Sequence, residues 1–289
     1  MEGKFLLDIF LPVALGIIML GLGLTLTIAD FKRVVVFPRA VIVGLACQML
    51  ILPVVCFFVA RSFGLTGAMA VGLMLLAASP GGATANLYSH LAKGDVALNI
   101  TLTAVNSVLT LITLPLIVNF SIEYFMGTEG NVTLQFRKVV EVFAIVLIPV
   151  SLGMFIRGRS VHLAARMDKP VKILSAIFLI IIIVGAVANN KDIVVKYFGE
   201  VGMAALAFNL LSMGAGFFLP LLAKVTRKQA IAIGMEIGIH NGTLAIYIAN
   251  NALNNEAMSF PPAIYSLIMF FTAAAFGFIV SRKHEEKAA

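Results

Sequence analysis

The chain has 289 residues, of which 61% are hydrophobic and only 12% charged. Soluble domains carry roughly 25% charged residues, so this composition, with a mean hydropathy of +1.03, excludes a water-soluble globular protein and an extramembrane module of any size. A net charge of +7 would suit nucleic acid, but the placement of the basic residues gives a simpler account.

Nine apolar stretches reach the ~20 residues that span a bilayer: 5–28, 36–60, 68–92, 96–122, 138–157, 171–188, 200–223, 230–253 and 262–281. The expected fold is an all-α polytopic membrane protein, one membrane domain over 1–289. The first stretch is not read as a cleaved signal, because it carries Glu2 and Asp8 and is longer than a signal's apolar region. Cys47 and Cys56 lie nine residues apart on the second stretch, too far along a helix for a disulfide. With an odd number of spans and an outside N-terminus, 15 of the 21 Lys/Arg fall in the inner loops and the C-terminal tail, including Lys32, Arg33, Arg39, Arg157, Arg159, Lys224, Arg227 and Lys228. The positive-inside rule then places the C-terminus in the cytoplasm of an inner-membrane protein. The lipid bilayer accounts for most of the basic excess, and no nucleic-acid partner is expected. No sequence feature specifies an oligomeric state.

The third and eighth stretches are broken at mid-length, at Ser79-Pro80-Gly81-Gly82 and at Asn241-Gly242-Thr243. In hydrocarbon an unpaired backbone group costs several kcal/mol, so such a break survives only where it lines a cavity or is buried in protein. Ala68, Ala70 and Gly72 correspond at a constant offset of 162 to Ala230, Ala232 and Gly234. Matched breaks in two halves point to a transporter's binding site. Leu52-Pro53 likewise matches Leu219-Pro220, giving inverted repeats over about 1–125 and 135–285, the first lacking its first helix. Each break frees carbonyls suited to a cation and half-helix N–H groups suited to an anion.

Glu236 is the one carboxylate deep inside a predicted span, where a charge costs at least ~2.5–3.5 kcal/mol and needs a partner. A bound cation is one such partner, and a proton or a hydrogen bond to a neighbouring helix is another. His240 lies one turn on, in a spacing that also suits a metal pair, although the other histidines sit near loops or in the tail. The fourth stretch carries Asn99, Thr103, Asn106, Thr110 and Thr113 on one helical face. This stripe reads as helix-to-helix glue or as ligands, Asn99 and Thr103 being the better ligand candidates. Gln48 either completes a cation shell or caps a carbonyl freed by Pro53. Asn86 and Asn241 are uncharged carbonyl-oxygen donors, which hard cations such as Na⁺ favour.

At GLGLTL (21–26), SPGGATAN (79–86), GDVALNITLT (94–103) and EIGIHNGTLA (236–245) the chain resembles the bile acid:sodium symporter family, and the similarity runs in order over essentially the whole sequence. The resemblance implies a panel and a core domain with two crossing broken helices. It implies a first sodium site from Asn86, Asn99, Thr103 and Glu236. A second would use Gln48, Glu236, the carbonyls of Ile237 and Ile239, and His240. Substrate, a small organic anion, would lie by Pro80, Gly81, Gly82, Ala83, Thr84, Asn86 and Asn241. Three positions depart from the bacterial pattern: Ala85 lacks a hydroxyl, Asn99 stands for Ser, and His240 stands for Gln. A neutral imidazole offers one acceptor nitrogen and a protonated one none, so coupling to one Na⁺ is expected.

The expected function is sodium-coupled symport of organic anions, bile acid-like or smaller carboxylates, by alternating access. The alternatives are proton coupling through Glu236 and His240, or an intramembrane metal enzyme, against which stands the lack of H-E-x-x-H and G-x-S-x-G.

Overall fold

The computed structural model describes residues 9–127, 134–189 and 191–285. Residues 5–8 of the first predicted stretch, with Glu2 and Asp8, lie outside them. Among the described residues the protein is helical with no strand, and its one β-bridge joins Gly81 and His240.

Helix α1 (Leu11–Thr25) starts with proline in its first turn, where the missing N–H costs nothing, and ends where Leu26 and Thr27 turn extended. A short helix α2 (Ile28–Lys32) leaves at 71°. Its capping box joins Thr27 to Asp30, which also pairs with Arg33 at 2.5 Å. Helices α3 (Pro38–Ala46) and α4 (Leu52–Ser62) form one span with a π-turn at Cys47–Ile51. The turn falls just before Pro53, which has no N–H and crowds the preceding turn. Helices α5 (Gly67–Ala78) and α6 (Ala85–Leu91) are separated by six non-helical residues, 79–84. Helix α7 (Val96–Met126), whose cap Asp95 accepts from Leu98 N at 3.0 Å, is followed by α8 (Phe136–Arg159), α9 (Val161–Asn189) and α10 (Lys191–Leu222). Helices α11 (Arg227–Gly238) and α12 (Gly242–Tyr247) flank the second break, and α13 (Phe260–Glu285) ends the described chain. Among the described residues five helices are long and apolar enough to cross a membrane, six if α1 and its bent continuation count as one.

Two packing groups emerge. Helices α1, α8 and α9 pack on one another. At the α1–α8 crossing a Cβ on Gly153 would strike the backbone of Leu20, Gly23 and Leu24. Small residues allow such close backbone approach between membrane helices, where van der Waals contact drives association. The second group gathers α3–α7 and α10–α13, with α7 against α5 and α11, and α10 against α11 and α13. The broken helices lie at its centre: every residue from Met69 to Gly82 and from Ala230 to Ala249 is buried. The groups meet along a narrower seam, through α12 on α1 and α8 on α7.

Candidate ion and substrate site

The two breaks satisfy each other. Pro80 has no N–H to continue α5, and Ser79 closes that helix with its N–H and hydroxyl both on Leu76 O, at 2.9 and 2.7 Å. The last helical bond of α11 is Ile239 N to Met235 O, 3.0 Å, so its break opens at Ile239, earlier than the expected Asn241. Asn241 N then donates to Pro80 O at 2.9 Å and Gly82 N to Ile239 O at 2.6 Å, across the Gly81–His240 bridge. Buried backbone must find partners, and here each break is the other's partner. Asn241 uses its side-chain oxygen to cap α12, accepting from Leu244 N at 3.0 Å.

Glu236 sits where α7, α11 and the first break converge, fully buried. Thr103 Oγ1 donates to its Oε2 at 2.6 Å and Asn106 Nδ2 to its Oε1 at 3.2 Å. A Cβ on Gly81 would collide with the carboxylate, so only glycine lets the backbone of the first break approach so closely. Among the described residues no Lys or Arg pairs with Glu236. An acid held by neutral donors alone is ready to be balanced by a cation.

Around it, amide oxygens are left unpaired. Asn99 Nδ2 donates to Ala232 O at 2.8 Å and Gln48 Nε2 to Ser79 O at 2.9 Å. A carbonyl only accepts, so chemistry sets both amide orientations. Asn99 Oδ1, Gln48 Oε1 and Asn106 Oδ1 are thereby buried without a hydrogen-bond partner, as are both polar atoms of Asn86. Buried polar atoms in folded proteins are nearly always paired. Orphan acceptors on Asn106, whose amide bonds the carboxylate, and on Asn99, whose backbone carbonyl accepts from the same Thr103, fit a hard cation.

Gln48 caps the carbonyl freed at Ser79, not one freed by Pro53 as one sequence reading had it. The same oxygen lies 3.4 Å from His240 Nδ1. A hydrogen bond there places a proton on Nδ1, so in the neutral imidazole the buried Nε2, which has no partner, carries the lone pair. Asn241 N, which in a continuous helix would bond Ile237 O, goes to Pro80, so the Ile237 carbonyl loses its helical donor while that of Ile239 is taken by Gly82. Of the residues expected near substrate, Pro80, Gly81 and Gly82 are buried, Ala83 and Asn86 half-buried, and Thr84 exposed.

Sequence reasoning ranked Asn106 below Asn99 and Thr103, yet it binds Glu236 directly; its place three residues after Thr103 on the polar stripe was the available signal. It missed Asn209 and Tyr265, which both donate to Gly238 O at 2.9 Å. A lone amide inside the apolar α10 was the signal for the first. Among the described residues no three His, Cys, Asp or Glu side chains cluster as metal ligands.

Apolar helices around a buried, paired double break with an acidic, acceptor-rich centre define an integral membrane transporter, not an enzyme. The chain belongs to the Sodium Bile acid symporter family, whose model matches residues 12–197. It is 27% identical over 281 residues, 97% of this chain and 85% of the other, to the "Uncharacterized sodium-dependent transporter YocS" of Bacillus subtilis (strain 168). It is 24% identical to the human "Ileal sodium/bile acid cotransporter", over 96% of this chain and 80% of that one. It is 26% identical to the "Probable sodium/metabolite cotransporter BASS1, chloroplastic" of Arabidopsis thaliana, over 88% of this chain but only 62% of that protein's length.

Proposed function

We propose that the protein is a sodium-coupled symporter of a small organic anion, working by alternating access as the α1–α8–α9 group moves against the group that holds the broken helices. In this reading nine helices span an inner membrane as inverted repeats, with the C-terminus cytoplasmic. The observation that carries it is Glu236, a fully buried acid whose hydrogen-bond partners, Thr103 and Asn106, are neutral donors, with the Oδ1 of Asn106 and of Asn99 on the same helix left unpaired.

Asn86, Asn99, Asn106 and Thr103 with Glu236 form the primary Na⁺ site. Gln48, His240 and the Ile237 carbonyl form the weaker one, because a neutral imidazole offers a single nitrogen lone pair where an amide offers a hard oxygen. Coupling to one Na⁺ follows. Substrate lies by the crossing, from Pro80 to Asn86 and beside Asn241. The sodium-dependent transporters and cotransporters among the relatives support the coupling ion, and their differing cargoes, bile acid and metabolite, keep the anion class broad.

The test is a thermal-shift screen of organic anions in NaCl and in KCl. A true substrate stabilises more in Na⁺ than in K⁺, since linked ligands raise each other's affinity. Identical stabilisation in both salts for every anion that binds refutes sodium coupling.

A further inference from the structure

The backbone of the second break leaves one carbonyl with an unusual fate. In a continuous helix Gly238 O would accept from Gly242 N, but that N–H turns to His240 O at 3.1 Å. Two side chains from different helices replace it. Asn209 Nδ2 from α10 and Tyr265 Oη from α13 each donate to Gly238 O at 2.9 Å. The oxygen only accepts, so both donor assignments follow from chemistry.

The clamp is continuous with the packing around His240. Phe208, next to Asn209, stacks on the imidazole with centroids 5.8 Å apart and an interplanar angle of 19°. Tyr265 meets the same ring edge-on at 5.4 Å. All four side chains, Phe208, Asn209, His240 and Tyr265, are buried. Thus α10 and α13 together hold both the carbonyl that precedes the turn and the side chain at its middle.

We propose that Asn209 and Tyr265 are positioning residues of the transport cycle: by donating jointly to Gly238 O they hold the turn from Ile237 to Asn241, and with it the end of α11, in the shape that presents Glu236 to the primary-site cation. A carbonyl with both lone pairs engaged is a poor cation ligand, so the clamp also keeps Gly238 O itself out of the ion's shell. Losing one donor leaves the other in place. Losing both leaves a buried carbonyl unsatisfied, which is the costly case, and frees the turn to re-aim.

The inference rests on the sodium-symport reading, and the test separates the two. The full chain, purified in detergent, is titrated with NaCl at constant ionic strength, and the half-saturating Na⁺ concentration is read from thermal stabilisation. Tyr265→Phe keeps the ring and removes only the hydroxyl; Asn209→Ala removes the amide; Ser121→Ala is a control for loss of a buried hydroxyl, because among the described residues Ser121 Oγ bonds its own helix, at Ile117 O, 2.6 Å. Each clamp variant is expected to raise the Na⁺ midpoint at least threefold. The double variant is expected to raise it by more than the product of the two, while Ser121→Ala leaves it unchanged. A wild-type protein that responds to Na⁺ while Tyr265→Phe keeps the same midpoint overturns the positioning role. A wild-type protein with no sodium response overturns the symport reading instead. Should Asn209→Ala not fold, Tyr265→Phe alone decides.

Discussion

Replacing Glu236 with Gln tests the centre of the mechanism at little risk to the fold. Gln is nearly isosteric, and Thr103 Oγ1 can still donate to its amide oxygen. The new NH₂ would face Asn106 Nδ2, but a flip of Asn106 offers its unpaired Oδ1 instead. Two hydrogen bonds to a charged group, about 1.5–3 kcal/mol each, are exchanged for neutral ones of about 0.5–1.5 kcal/mol each, and a buried charge worth at least ~2.5–3.5 kcal/mol of insertion penalty disappears. The terms nearly cancel, so stability without sodium is expected to stay within about 1 kcal/mol of wild type. Sodium binding is another matter. A unit charge about 4 Å away contributes about 4 kcal/mol at an effective dielectric near 20, and 1.4 kcal/mol is roughly tenfold, so affinity falls on the order of a thousandfold. At a Na⁺ concentration ~100 times the wild-type Kd, ligand stabilisation of about 2.7 kcal/mol collapses to less than about 0.1 kcal/mol. The assay is melting temperature against NaCl, with KCl holding ionic strength constant. A Glu236→Gln protein that melts like wild type in KCl and still gains its full stabilisation in NaCl would refute the assignment of that acid to the cation.

Two further substitutions probe the neighbouring groups. His240→Gln returns an amide oxygen beside Gln48, and the Hill coefficient for Na⁺-driven uptake into proteoliposomes should rise from about 1 towards 2; an unchanged coefficient argues that the weaker site is closed for another reason. Gly81→Ala puts a methyl where the Glu236 carboxylate lies, so uptake should fall at least tenfold while the protein still inserts and purifies, and uptake at the wild-type rate would show that the close approach of break and carboxylate is dispensable.

What the sequence determined by itself was the solvent and the local chemistry. Hydropathy marked the helices, because a spanning segment must be apolar along its length. Pro80, Gly81, Gly82 and Gly242 marked the interruptions, because these residues weaken or block helical bonding wherever they stand. Glu236 declared itself because an isolated acid in an apolar span is costly in any fold. Tertiary structure alone decided which groups meet. The pairing of Gly82 with Ile239, the approach of Asn106 to Glu236 and the use of Asn241 as a cap join residues far apart in sequence or compete between equivalent partners. Gly238 shows the limit most plainly. Its carbonyl is freed by a local break that the sequence displays, but its donors, Asn209 and Tyr265, come from helices whose faces are set only by three-dimensional packing, and periodicity along one helix carries no information about a partner on another.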